Sequence, residues 1–191
     1  MSIPPSVLER TKSPDFENNI FWMYLDTGGN VTVGAGHLIP NAAATGAALL
    51  NFVDQGGNVA STANKQQEWN TIHDQDAGHT AAYYQQFTTL HLEQVDIDVI
   101  LLADMERAQG YLRTAFPDYD NFPQPAREGM LDMMFNMGPG KFTAAHWPNF
   151  FAAVNSATPD WNKAANQSHR SGISSTRNSI VRQLFLDAAG M

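Results

Sequence analysis

Hydrophobic positions recur along most of this chain at the three- and four-residue spacing of helices packed on a core. Ile97, Ile100, Leu101, Asp104, Ala108 and Tyr111 fall on one such face, and its only charged member, Asp104, therefore needs a partner. Pro125 opens a segment, AREGMLDMMFNM, that is apolar nearly all round and stops at Gly138-Pro139-Gly140. This pattern predicts a buried central helix, with Met130, Met133, Met134 and Met137 as core fillers. Phe150, Phe151 and Val154, then Trp161, Ala164 and Ala165, then Ile180, Val181, Leu184 and Phe185 predict three further helices.

Alternation of the β type is confined to one place. Tyr24-Leu25 and Val31-Thr32-Val33 flank the turn-forming run Asp26-Thr27-Gly28-Gly29-Asn30, with Val31 and Val33 on one face and Thr32 on the other. The pattern predicts a small hairpin that aims Asp26 and Thr32 into one cleft. Just before it, Ser13-Pro14-Asp15 reads as the cap and first turn of a short helix that carries Glu17 near its start. From 40 to 88 the chain is rich in Ala, Asn, Gln and Gly, with an apolar patch at Leu49, Leu50, Phe52 and Val53 and a Gly56-Gly57 break, and reads as a partly helical insertion. The expected fold class is α+β, predominantly helical, with a single domain over residues 1–191.

Composition narrows the function. A chain of 191 residues, 43% of them hydrophobic and 16% charged, can bury a sizeable core in one domain or two joined lobes. Its 11 Lys and Arg against 19 Asp and Glu give a net charge of −8, without the basic footprint of a nucleic-acid binder. No apolar run approaches the roughly 18 residues of a membrane span, and MSIPPSVLERTKSPD lacks the cationic start and apolar core of a secretory signal. The expectation is a chain made in the cytoplasm, with no membrane insertion, that needs a delivery route for any work outside. With no cysteine, disulfides and thiolate metal sites are excluded.

Glu17 precedes Asp26 by nine residues, and Thr32 follows Asp26 by six. Two carboxyl groups flanking a glycosidic bond are what its hydrolysis requires, one to protonate the leaving oxygen and one to serve the water or the oxocarbenium ion. For an isolated Glu and Asp the competing reading is solvated surface charge; the surrounding motif decides between the two. YLDTGGNVTVGAGH resembles the hairpin of the phage-type lysozymes, the T-even bacteriophage endolysin muramidases, in Tyr24, Asp26, Thr27, Thr32, Gly34, Gly36 and His37. Counting back from Asp26 reaches Glu17 at that family's separation between its catalytic glutamate and aspartate. REGMLDMMFNMGPGKF is similar to the family's central helix through Phe135, Asn136 and Gly138, while WNKAA and GISSTRNSIVRQLF resemble its last helices.

The resemblance spans most of the chain outside 40–88. It implies a lysozyme-like two-lobed fold with the hairpin in the N-terminal lobe and the insertion within that lobe. By it, Glu17 would be the general acid and Asp26, with the Thr32 hydroxyl, would hold or activate the attacking water. The β-1,4 bond between N-acetylmuramic acid and N-acetylglucosamine would be cleaved with inversion, without metal or other cofactor. Leu38, Phe135, Asn136 and Gln167 would contact substrate, His37 and Asp104 would form an ion pair, and Arg177 would approach the acid. Three positions depart from the family: Ala145 stands where a serine is common, Asn18 follows Glu17 where glycine is usual, and Pro14 interrupts the helix leading to the glutamate.

The implied partner is the peptidoglycan glycan strand, reached in the periplasm or at the wall after delivery by a phage or a secretion system, with an immunity or delivery protein as a further partner. Two alternatives stay open: a hydrolase of chitin or chitosan, since paired carboxylates do not select the sugar, and a non-catalytic wall-binding module on the same fold. Three features take structural readings. Asp132 in the central helix reads as a structural hydrogen-bonding group, Tyr83, Tyr84 and Phe87 as packing aromatics, and His73, Asp74, Asp76 and His79, which fit no ligand spacing, as a solvated loop.

Overall fold

All five strands of this computed structural model, which describes residues 2–191, lie in one stretch of chain, residues 8–103. That stretch forms one of two units, and residues 2–7 with 104–191 form the other. Helix α1 (Pro5–Thr11) is followed by turns, not by the helix expected from Ser13. The Glu17 amide donates to Thr11 O at 3.1 Å, and the Phe16 and Asn18 amides donate to Ser13 O at 3.0 and 3.1 Å. Pro14 explains the correction: it has no N–H to donate and turns the residue before it out of the helical region. Glu17 therefore stands at the end of a turn and not at a helix start.

The hairpin forms as the alternation predicts and gains a third strand. β1 (Ile20–Leu25), β2 (Val31–Gly34) and β3 (His37–Leu38) make an antiparallel sheet in that order, with Tyr24 opposite Thr32, Leu25 opposite Val31, and Thr32 opposite Leu38. Leu25, Val31 and Val33 face a core that also holds Met23, Leu50, Phe52, Ile72, Tyr84, Leu92 and Ile97.

Residues 40–88 are partly helical, through a 3₁₀ turn (Ala42–Gly46), α2 (Thr62–His73) and α3 (Ala81–Tyr84). They also hold β4 (Val53–Asp54), which pairs antiparallel with β5 (Leu90–His91). Helix α2 is fastened by polar groups. Lys65 Nζ donates to Leu50 O at 2.6 Å, and Trp69 Nε1 donates to Ile39 O at 2.9 Å. The Glu68 carboxylate accepts from the Thr89 amide and hydroxyl at 2.6 and 2.9 Å and from the Leu90 amide at 3.0 Å. Burial pushes the Glu68 carboxyl above the usual carboxylate range, against those hydrogen bonds, and pulls the Lys65 ammonium below its ordinary value. Tyr84 is fully buried with its hydroxyl donating to Asp76 O at 2.9 Å, and Tyr83 and Phe87 pack at the core's edge. His73 stacks on Trp69 and His79 on Tyr83, with ring centroids 4.6 and 3.8 Å apart.

Helix α4 (Gln94–Ala115) runs from the first unit into the second. Its inner face carries Ile97, Ile100, Leu101, Met105, Ala108 and Leu112, while Tyr111, expected on that face, is 42% exposed. Steps of four, three and four residues from Leu101 stay in phase with the helical repeat, whereas a path through 104 and 111 drifts one residue off. Beyond it lie α5 (Gln124–Met137), α6 (Pro148–Val154), α7 (Trp161–Asn166) and α8 (Ser175–Ala189). Helix α5 is the buried one, with Met130, Leu131, Asp132, Met133 and Met134 inside. Phe185 of α8 lies so close to Gly129 that a Cβ there would stand 2.9 Å from the ring. No helix among the described residues is long and apolar enough to cross a membrane.

Candidate active site

Glu17 is seated by the turn that follows β2. Gly36 has φ +85°, a conformation that favours glycine, and a Cβ added there would stand 3.1 Å from Glu17 Oε2, close enough to crowd the carboxyl. Asn18, the departure noted beside Glu17, has φ +67°. Asparagine is the non-glycine residue that tolerates this left-handed conformation best, and its Oδ1 accepts from the Asn19 amide at 2.9 Å. The backbone that a glycine would supply is thus preserved.

The register of the sheet sets Tyr24, Thr32 and Leu38 in one row across three strands, since residues directly opposite one another project from the same face. Thr32 is buried and Leu38 is 49% exposed. Thr32 Oγ1 donates its proton to Asn30 O at 3.1 Å, which leaves the hydroxyl's lone pairs as acceptors. The Tyr24 phenol is pushed far above its ordinary value, first by burial and then by the negative charges of Glu17 and Asp26.

Asp26 ends β1 with its carboxylate folded over the turn. Its Oδ1 accepts from the Gly28 amide at 2.8 Å, the Asn30 amide at 2.8 Å and Asn30 Nδ2 at 3.2 Å, and its Oδ2 accepts from Asn30 Nδ2 at 3.2 Å. One oxygen is saturated by the turn while the other carries a single bond. Glu17, Asp26, Thr32, Leu38 and His37, the last opposite Val33, all belong to residues 8–103.

Phe135, Asn136, Gln167, Asp104 and Arg177 belong to the other unit. Asp104 pairs with Arg107 of its own helix at 3.0 Å. Gln167 lines a groove of about 260 Å³ with His146, Trp147, Asn149, Asn166 and His169. Arg177 is buried, with Nε and Nη2 donating to Asp132 Oδ1 at 3.0 and 2.8 Å. Arg170 donates to Asp132 Oδ2 at 2.7 Å through Nη2 and to Asn136 Oδ1 at 3.2 Å through Nη1. The structural reading of Asp132 agrees with these partners, and the carboxylate joins two of the expected site residues, Arg177 and Asn136, through Arg170. Arg170 and Asn30 are the residues that the sequence reasoning missed. The available signals were a carboxylate on the apolar part of a helix, which demands a partner, and an asparagine closing a turn opened by aspartate.

No protein-family model matches the chain, and no curated protein sequence matches it. The architecture and the helix-rich composition with small antiparallel sheets define the class: this is a lysozyme-like α+β fold. Among solved structures, the chain is similar to a mutant of the phage P22 lysozyme, at 18% identity over 97% of this chain and 99% of that one, with a TM-score of 0.56.

Proposed function

We propose that this protein is a peptidoglycan hydrolase, a muramidase that cleaves the β-1,4 link between N-acetylmuramic acid and N-acetylglucosamine by general acid and base catalysis. The observation that carries the reading is that Glu17 rests against Gly36, in the turn that follows β2, beside the hairpin that holds Asp26 and Thr32; the lysozyme-like fold supports it. In this mechanism Glu17 protonates the leaving oxygen. Water donates one hydrogen bond to the Thr32 hydroxyl and one to Asp26 Oδ2, which turns an oxygen lone pair toward the anomeric carbon; as the new C–O bond forms, the leaving oxygen departs with the Glu17 proton and Asp26 Oδ2 takes the proton that the water gives up. A carboxylate fixed by turn amides suits holding water better than attacking carbon, so the expected course is inversion. Leu38, in the same row as Thr32, offers an apolar surface to a sugar ring, and Phe135, Asn136 and Gln167 are the proposed substrate contacts in the other unit. The chain would act at the wall after delivery by a phage or a secretion machine, with an immunity protein as a counterpart in the latter case.

Turbidity clearing of purified peptidoglycan, with reducing-end analysis of the products, tests the assignment. Wild type should clear walls and release new reducing ends at N-acetylmuramic acid, and Glu17→Gln should lose at least about 100-fold in rate, the lower range for a general acid. Equal clearing by both proteins would remove Glu17 from the chemistry. Release from chitin but not from walls would shift the substrate, and wall binding without clearing by wild type would favour a non-catalytic module.

A further inference from the structure

The site hairpin exists twice in this chain. Tyr24–Thr32 reads YLDTGGNVT and Phe52–Ala60 reads FVDQGGNVA, aligned without a gap. The two fold alike. The Asp26 amide donates to Asn30 O at 2.9 Å and the Asp54 amide to Asn58 O at 3.0 Å, while the Gly29 and Gly57 amides donate to Asp26 O and Asp54 O at 3.0 and 2.9 Å. Asp54 Oδ1 accepts from the Gly56 amide at 2.8 Å, the Asn58 amide at 2.9 Å and Asn58 Nδ2 at 3.2 Å, and Oδ2 accepts from Asn58 Nδ2 at 3.2 Å. This repeats the Asp26 arrangement bond for bond. A Cβ on Gly28 or Gly56 would fall 2.9 or 3.1 Å from the asparagine Nδ2, so a larger residue would press on the side chain of each clasp at the same step.

What differs is equally specific. The copy has Phe52 where the site has Tyr24 and Ala60 where it has Thr32, so both hydroxyls of the row are missing from it. The clasp itself is therefore an architectural device of this chain, and the chemistry lies in what is added to it. In the copy, the Asn58 amide and side chain, the largest causes, hold the exposed Asp54 carboxyl below the usual range.

We propose that Asn30 is a positioning residue of the site: its side chain spans both oxygens of Asp26 and fixes the carboxylate plane, so that Oδ1 serves the turn and Oδ2 is presented for the reaction. Asn58 does the same for Asp54, with no chemistry attached. This rests on the hydrolase reading above, and the duplicate supplies its own control, because Asn30→Ala and Asn58→Ala delete the same two bonds from the same turn.

The experiment measures reducing-end release from purified peptidoglycan over a range of wall concentrations, with urea unfolding, for wild type, Asn30→Ala, Asn58→Ala, Asp26→Asn and the Asp26→Asn/Asn30→Ala double variant. The two alanine variants should lose similar stability. Asn30→Ala should lower the maximal rate roughly 10- to 100-fold, the scale of a small misplacement of a reacting group, with the half-saturating wall concentration unchanged. Asn58→Ala should keep the wild-type rate, and Asn30→Ala should cost nothing further in the Asp26→Asn background. Asn30→Ser, which retains one donor, should fall between, and it replaces Asn30→Ala in the comparison if that variant does not fold. A wild-type rate in Asn30→Ala, equal losses at Asn30 and Asn58, or additive losses with Asp26→Asn would each overturn the proposal while leaving the hydrolase intact. A wild type inert toward walls would remove the hydrolase reading itself.

Discussion

Asp132 is where a single substitution should cost this protein most. Its carboxylate, with the side chain 5% exposed, receives Arg170 Nη2 at 2.7 Å and Arg177 Nη2 at 2.8 Å, and those two side chains are 2% and 3% exposed. Asp132→Ala takes from two buried guanidiniums the carboxylate they share. Removing one partner of a buried ion pair typically costs about 3–5 kcal/mol, because the remaining charge keeps its desolvation penalty and loses the attraction that offset it. For a chain of this size roughly 2–4 °C of midpoint accompanies each kcal/mol, so a fall of about 6–20 °C is expected in calorimetry, with a matching drop in the urea midpoint. Asp132→Asn, which retains an acceptor oxygen but no charge, should lie between. A triple change of Asp132 to Leu with both arginines to Met should regain much of the loss, since replacing all the charges removes the desolvation cost as well. A loss under about 1 kcal/mol for Asp132→Ala would refute the reasoning, for it would mean that the arginines reach water once released.

Gly36→Ala should cost about 1–2 kcal/mol from the φ of +85° alone and should also displace Glu17, whose Oε2 would stand 3.1 Å from the new Cβ. Gly57→Ala, at φ +78° with nothing within 4 Å of the added atom, is the matched control and should lose similar stability while keeping wall-clearing activity; equal activity in the two variants would detach Glu17 from the Gly36 contact. Glu68 should show itself through pH. Burial raises its carboxyl in the folded state, so the folded chain holds this proton to higher pH than the unfolded one, and stability falls as pH rises from the unfolded value through the folded one. Urea midpoints for wild type and Glu68→Gln between about pH 4 and 8 should show that decline in the wild type only; parallel curves would mean that Glu68 titrates alike in both states.

Local pattern made the hairpin legible: Val31, Thr32 and Val33 alternate beside a turn of aspartate, glycines and asparagine, and that signal needs no knowledge of the rest of the chain. The helices were legible for the same reason, although at Tyr111 the apparent face slips out of phase within three turns. β4 and β5 were not legible, because two-residue strands carry no period. Arg170 and Asp132 lie 38 positions apart and meet only through the packing of the helices, so spacing could not pair them. At Pro14 two rules competed, its preference for a helix start and its exclusion from a helix interior, and here the chain leaves α1 before Pro14 and turns. The second hairpin is written in the sequence as a repeated string, but its Phe52 and Ala60 carry none of the hydroxyl chemistry that marks the first.

Charge divides unevenly between the two units, and this bears on how the proposed substrate is recognised. Residues 8–103 hold 11 Asp and Glu against three Lys and Arg, so the whole net charge of −8 falls on the unit that carries Glu17 and Asp26, while the other unit balances eight against eight. Toward an anionic wall that unit is repelled at long range, within a screening length of about 8–10 Å at physiological salt. On the proposed reading, attraction at the site would come from short-range contacts with uncharged sugar. The row of Tyr24, Thr32 and Leu38 offers an aromatic ring, a hydroxyl and an apolar side chain, and the groove around Gln167 offers amides, imidazoles and an indole. Neither presents a cluster of lysine and arginine to phosphate or carboxylate. On the proposed reading both surfaces would meet the glycan through its rings and hydroxyls, with the charges of the wall left in solvent.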